Sequence, residues 1–586
     1  MTGEKTLAPA QRIDFGEALA PPTGYRLEAA LGTTFSLEIA TALTVPVAMA
    51  LRGVVERDEL MENPLAALAA MQRLQDRVRI FVEAGNIHPP AGKRNSLISL
   101  LEGLVVEVAP PKGATFHPKL WLLRFAPEAG GAMRQRLVMM SRNLTRDRSW
   151  DVALRLEGEE TEREQAGNQP LTDLIDWIPG RKPRPVQELR NRLSFVKWQA
   201  VPGFRTPVFH AHFPRSPHVW RPGKGQMAVI SPFCDDAALD MLGRERICAL
   251  VSCDDWLARL DDAPKCSMTL MDYAVPEQEP TAHQERAGLH AKIFISEHAG
   301  ETTITIGSGN ATSAGLAVSG MRNIEVFATL RGKTTTVGGI GLDTEGLLGH
   351  DGLRPLLADW TPRSLSEEEV AEARFEDAVR QARHAIFAAK PRLKFARVAD
   401  QWSAVLQMEC PAIPGIARIH ARLATQHNST DIAGAGPWIL GLVGLLNVTR
   451  FIQIDLTGDS EKTASFVTQA EAQGLPEDEP RLRALMAEII KTPEQMLSFV
   501  HAMLEVRPDL TGLMRTGNRS GKKRGQSQRA APPVLETLLK VLLSDDGPAR
   551  MAELDKLLRL IPADTQTAAG FRDLWSTFIA ANGKRR

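Results

Sequence analysis

A pattern of His, one residue, Lys, an apolar stretch of hairpin length, then Ser, one residue, Asn occurs twice in this chain, 173 residues apart. The first copy reads His117-Pro118-Lys119 with Ser141-Arg142-Asn143, the second His290-Ala291-Lys292 with Gly307-Ser308-Gly309-Asn310. In a strand, residues i and i+2 share one face, so each HxK is expected to send an imidazole and an ammonium to one side of a sheet. Two halves paired about a pseudo-twofold axis would bring two His, two Lys and two Asn to one pocket.

The repetition extends beyond the motifs. In the first half a segment at 33–40 leads to a short helix at 42–51, then strand 78–83, helix 96–103, strand 104–108, strand 117–125, strand 136–141 and strand 151–156. The second half runs strand 226–233, helix 235–242, strand 248–252, helix 254–260, then strands 267–274, 289–295, 302–307 and 323–329. Strands alternating with short helices indicate an α/β layered fold. The expected division is 1–165 for the first lobe, 166–204 for a connection, 205–349 for the second lobe and 350–586 for a further region. That last region opens on a capping box (Ser366, Glu369) and a helix at 367–389, is mixed over 391–460 with a strand at 450–456, and is helical from 461 onward.

At 586 residues the chain exceeds what one core supports, and about three domains are expected. Seventy basic residues balance seventy acidic ones, so nucleic acid would be attracted by local patches only. One such patch is the tract 515–529, with six basic residues and no acidic ones, including Lys522, Lys523 and Arg524; its composition predicts a disordered loop. The first twenty residues lack a signal-peptide core, and the longest apolar run in the C-terminal third, Trp438 to Leu446, is nine residues with two Gly. A chain of this kind reads as cytoplasmic and without a membrane span. The five cysteines lack CxxC spacing. They read as small buried residues, and His210, His212 and His218 as part of a surface linker, in preference to metal ligands.

The doubled motif suits phosphodiester chemistry. A phosphodiester repels anionic nucleophiles, so an enzyme without metal needs fixed cations and a neutral nucleophile. Imidazole is neutral near pH 7 and serves as nucleophile, acid or base. Lys119 and Lys292 would supply charge, while Asn143, Asn310, Ser141 and Ser308 would donate to the oxyanion. Asp151 and Glu325 stand at matching places after each Asn and are assigned to orienting the imidazoles. One His would form a phosphohistidine; the other would protonate the leaving oxygen and then activate water.

Over residues 25–335 this pair of motifs resembles the phospholipase D superfamily. The resemblance implies two similar α/β lobes around a pseudo-twofold active site, a metal-independent phosphohistidine mechanism with no cofactor, and His117 as the attacking residue; a mainly α-helical C-terminal region would follow. The family's motif Asp is Arg124 in the first copy and Glu297 in the second, and Met140 replaces the Gly before Ser141. Arg142, Arg146 and Arg148 around the first Asn, with the 515–529 tract, favour DNA as substrate. The Gly32–Ser36 segment after Tyr25-Arg26-Leu27 and the Thr115–Lys119 segment resemble bacterial nuclease-like members beside helicases in phage-defence and DNA-processing systems, which implies a helicase or ATPase partner and leaves a dimer open. The alternatives are a catalytically weak nucleic-acid-binding subunit of a defence complex and a phospholipase or transphosphatidylase.

Overall fold

The computed structural model describes residues 13–51, 64–89, 96–146, 149–180, 182–271, 288–318, 323–341, 346–350, 352–505, 508–509, 513, 534–543, 547–561 and 569–583. Strands β1 (Tyr25–Thr34), β2 (Leu37–Glu38), β3 (Val78–Glu83), β4 (Ile87–His88), β5 (Val105–Val108), β6 (Leu120–Pro127), β7 (Arg134–Met140), β8 (Ala153–Glu160) and β9 (Val196–Trp198) come from the first third of the chain. Seven of them form one sheet in the order β5-β3-β1-β6-β7-β8-β9. Strands β10 (Val208–His212), β11 (Gln226–Ile230), β12 (Ile247–Val251), β13 (Ser267–Leu270), β14 (Ile293–His298), β15 (Glu301–Gly307), β16 (Glu325–Lys333) and β17 (Leu357–Asp359) form the second, ordered β10-β16-β15-β14-β11-β12-β13-β17. Read from β13, the second sheet repeats the first over six strands; the seventh place is taken by β10, which precedes β11 in the chain, whereas β9 follows β8. In each, three strands run parallel and the rest antiparallel.

The apolar runs of β6 and β14 follow from burial on both faces. One face of each sheet enters a common core: Leu31, Leu120, Leu122, Leu137 and Met139 meet Ile230, Ile293, Ile295, Ile304 and Val326. Behind the first sheet a second core packs Trp121, Leu123 and Phe125 against helices Ile39–Ala50 and Pro64–Leu74, and carries on into helices near the C-terminus. Gly32 sits where a Cβ would lie 2.5 Å from the Trp121 ring, so the central strand must be bare there for that ring to cross it.

Several expectations need correction. The HxK residues precede β6 and β14 instead of opening them, because their backbone bonds across to the other sheet. The first central strand is Tyr25–Thr34, which begins eight residues ahead of the apolar segment read at 33–40; Arg26, Glu28 and Gly32 break its strand pattern, and the sheet around it decides. Helix Pro64–Leu74 was not expected. The connection 166–204 holds helices Gln169–Trp177 and Arg184–Leu193 and closes the first sheet with β9. His210 and His212 lie in the paired strand β10, not in a surface linker.

Beyond helix Glu367–Ala388, whose Ser366 capping box is present, the described residues form β-structure up to Gln473: the expected strand at 450–456 is present as one of several, the rest of the mixed stretch is also β, and the helices expected from 461 begin only at Asp478. Strands β18 (Arg392–Val398), β19 (Gln401–Gln407), β20 (Ile416–Leu423), β21 (Thr430–Asp431), β22 (Trp438–Val443), β23 (Phe451–Gly458), β24 (Thr463–Gln469) and β25 (Glu471–Gln473) make two further sheets. β20 shows why: Ile419, Ala421 and Leu423 alternate inward with polar neighbours, the period of two of a half-buried strand. Helices Asp478–Ile489, Pro493–Leu504, Val534–Leu542, Gly547–Leu558 and Ala569–Gly583 follow. Among the described residues no helix is long and apolar enough to cross a membrane.

Candidate active site

The two motifs meet through reciprocal backbone bonds. His117 N–H donates to the Ile324 carbonyl (3.0 Å) and Ile324 N–H to the Thr115 carbonyl (2.8 Å). In the other direction His290 N–H donates to the Trp150 carbonyl (2.8 Å) and Trp150 N–H to the Gly288 carbonyl (2.7 Å). Each HxK segment is therefore paired with the segment that introduces the last motif strand of the opposite sheet, which makes parallel bridges Phe116–Ile324 and Trp150–Leu289.

Glu325, at the start of β16, consequently reaches the imidazole of the other half. His117 Nδ1 lies 3.0 Å from Glu325 Oε2, and Lys119 Nζ lies 2.7 Å from His117 Nε2. An ammonium can only donate, so Nε2 is the acceptor and Nδ1 carries the proton donated to Glu325. Ser308 Oγ donates to the same Glu325 oxygen and Asn323 Nδ2 to the other (3.3 Å). Burial, followed by the charges of Lys119 and Lys292, drives the His117 imidazole down to about 4 against the pull of Glu325. Burial would raise the Glu325 carboxyl, but His117, Lys119 and Ser308 outweigh it and hold it below its ordinary value. The resting state is a neutral imidazole between a carboxylate and an ammonium, all three buried.

In the second half Lys292 Nζ donates to the His290 carbonyl (2.7 Å). Ser141 and Ser308 hold equivalent places: Ser141 Oγ accepts the Val152 N–H (2.9 Å) and Ser308 Oγ the Val326 N–H (3.0 Å). Asn143 and Asn310 are both buried, and the Oδ1 of each has no hydrogen-bond partner among the described residues. Asp151, the counterpart of Glu325, meets Arg142 Nε at 3.7 Å. Arg142, expected to contact DNA, is tied to Asp151 and to the Thr145 carbonyl (3.1 Å). Arg146 is exposed beside them. Arg148, Lys522, Lys523 and Arg524 lie outside the described residues. Arg124 makes a two-pronged pair with Glu160 (2.6 and 3.1 Å), and Glu297 accepts the Ile340 N–H (3.0 Å). Both positions therefore serve the fold. Among the described residues, no group of three or more His, Cys, Asp or Glu could hold a metal ion.

Three supporting residues carried no sequence signal that was read. Thr34 Oγ1 accepts the Leu144 N–H (3.2 Å) and Ser231 Oγ the Ala311 N–H (2.9 Å), so a hydroxyl at the end of each first strand holds the residue after each Asn. Thr34 stands 83 residues ahead of His117 and Ser231 59 ahead of His290, so spacing does not mark them; only their shared place at the end of the strand next to the HxK strand does. Glu83, at the end of β3, accepts the Phe116 N–H (2.6 Å) next to His117 and is buried.

No protein-family model matches the chain, and no curated protein does. Among solved structures, yeast tyrosyl-DNA phosphodiesterase is similar over 55% of this chain and 86% of its own, at 10% identity and a TM-score of 0.36. Polyphosphate kinase from Porphyromonas gingivalis is similar over 53% of this chain and 41% of its own, at 14% identity and a TM-score of 0.28.

Proposed function

We propose that this chain is a phosphodiesterase of phospholipase D type that cleaves DNA through a phosphohistidine. The observation that carries the reading is the crossed arrangement at His117: its proton is held by a carboxylate from the opposite half, and its Nε2 keeps a lone pair beside Lys119. With equal strand order over six strands of each sheet and reciprocal bridges, this supports a pseudo-twofold site shared by both lobes.

A bound phosphodiester would draw the Lys119 ammonium from Nε2 onto a phosphoryl oxygen. Nε2 then attacks phosphorus, the P–O bond to the leaving strand breaks, and His290 gives its proton to the departing oxygen. In the second displacement His290 takes a proton from water, whose oxygen attacks phosphorus as the P–N bond breaks. Lys119 and Lys292 offset the charge on the non-bridging oxygens, and the Asn143 and Asn310 amides donate to them.

The test is a 5′-labelled single-stranded oligonucleotide incubated in EDTA with wild type, His117→Ala and His290→Ala. Cleavage is expected in wild type and a loss of about 10³-fold or more in either variant. An acid-labile phosphoryl adduct should form on His117 under rapid quench. Binding without cleavage, together with no turnover of bis(p-nitrophenyl) phosphate, would reject the enzyme in favour of a binding subunit; turnover of phosphatidylcholine alone would reject DNA.

A further inference from the structure

Part of the outer face of the second sheet is apolar like its counterpart, with Met227, Val229, Phe294 and Phe327 packed against Trp220 and Leu239; the rest departs from it in chemistry. In the first sheet that face carries Leu123, Phe125 and Val138 and is sealed by helices. The positions matched through the motifs are Ser296, His298 and Thr305 in the second sheet. With Thr303 and Thr329 they floor a cavity of about 390 Å³, a volume suited to a small ligand. None of the HxK or Ser-x-Asn residues lines it. Ile295 and Ile304 point from the same strands into the core between the sheets, so the cavity opens on the opposite side from that core.

Beside the apolar side chains of Met227 and Phe294, the cavity is lined by hydrogen-bonding and cationic groups. His210 Nε2 lies 3.1 Å from Thr329 Oγ1, Thr329 Oγ1 3.0 Å from Thr305 Oγ1, and the Trp220 indole N–H donates to Thr305 (3.2 Å). Arg221, Lys224 and Arg331 stand at its mouth, and none forms an ion pair among the described residues. The carboxylate there, Glu301, is engaged by Arg205 at 2.9 Å. Burial, with Arg331 and His218, holds the His210 imidazole down to about 4, so it adds a neutral hydrogen-bonding group to this cationic mouth. Hydroxyls below and guanidinium and ammonium groups above match the oxygens and charge of a phosphoryl group.

We propose that this cavity is a second anion site, separate from the HxK centre, which binds the phosphoryl group of a small phosphorylated molecule, with adenosine 5′-monophosphate and inorganic phosphate as its probes. It stands independently of the reading of the HxK centre. A phosphate within a nucleic-acid strand presents the same chemistry and is separated from the small molecule by the test.

Adenosine 5′-monophosphate, inorganic phosphate and a phosphorylated single-stranded oligonucleotide are titrated calorimetrically into the full chain as wild type, Arg331→Ala, Thr305→Val and His117→Ala. Nucleotide binding is expected to weaken about tenfold in Arg331→Ala, for loss of one charge-assisted contact, and to be unchanged in His117→Ala. Thr305→Val keeps the side-chain shape and restores the residue type found at Val138, so it should fold and also bind more weakly. Binding of neither nucleotide nor phosphate, binding lost in His117→Ala, or equal affinity in wild type and Arg331→Ala would overturn the site. Oligonucleotide binding that weakens in Arg331→Ala while nucleotide and phosphate do not bind would overturn the small-molecule assignment and give the cavity to the strand.

Discussion

A histidine held between a carboxylate and an ammonium has its tautomer and its charge fixed at once, and His117 is so held. Replacing Glu325 by Gln removes the negative charge that offsets the positive charge the ring gains as Nε2 bonds to phosphorus, and lets an amide N–H donate to Nδ1 once substrate has drawn Lys119 off Nε2, so that the proton is free to move to Nε2. Glu325→Gln should therefore lower kcat by about 10²-fold or more with little change in KM, as steady-state assays on a chromogenic phosphodiester would read. A variant with unchanged kcat would remove Glu325 from the mechanism. The low proton affinity of His117 also links to stability. The unfolded chain takes up a proton as pH falls through the ordinary 6.5, whereas the folded imidazole does so only near 4, so the fold loses stability across that window and not above it. Urea midpoints at pH 7 and pH 5 should drop less in His117→Asn than in wild type; equal drops would contradict the assignment.

At the scale of elements, the doubled motif and most strands of both halves were legible because apolar runs and turn residues announce them. The crossing of the motifs was not. His117 and His290 satisfy their backbone N–H groups on Ile324 and Trp150, contacts 207 and 140 residues away in sequence, and no local pattern encodes a bridge between sheets. The contact of Glu325 with an imidazole follows from its matched position after Asn310, but that the imidazole belongs to the other half does not. The strands after residue 390 were blurred by Arg and Lys on their outward faces, as in β20. The glycine of the second motif has a physical reason that the first lacks. A Cβ on Gly307 would sit 2.4 Å from the Val326 carbonyl oxygen and 2.5 Å from the Phe327 ring, whereas Met140 fills the equivalent place in the first sheet. Gly307→Ala should cost about 1–3 kcal/mol of stability, the range for overpacking, seen as a lower denaturation midpoint. It should also disturb Ser308, whose hydroxyl reaches Glu325; Met140→Ala should leave that contact intact.

In the whole molecule, the C-terminal helices are not an appendage. Met486, Phe499, Val500, Leu504 and Leu538 share one core with Trp121, Leu123 and Phe125 on the back of the first sheet. Half-buried carboxylates pin the same junction: Glu102 accepts from Thr449 Oγ1 (2.8 Å), Arg450 N–H (2.9 Å) and Arg481, while Glu107 accepts from Gly85 N–H (2.8 Å) and Gln469 N–H (2.6 Å). Strand β4, from the first third of the chain, also pairs with β24. A chain ending at residue 349 keeps every motif residue yet uncovers these side chains, each worth about 1.5–3 kcal/mol when buried. Such a fragment should bind a hydrophobic dye strongly, run as aggregates on size exclusion, and show no cooperative thermal transition, whereas the full chain should unfold with both motif sheets and C-terminal helices lost together. A soluble fragment that unfolds cooperatively and retains phosphodiesterase activity would mean that the first sheet is stable without its helical cover, and that the C-terminal third adds binding capacity to a self-sufficient catalytic pair.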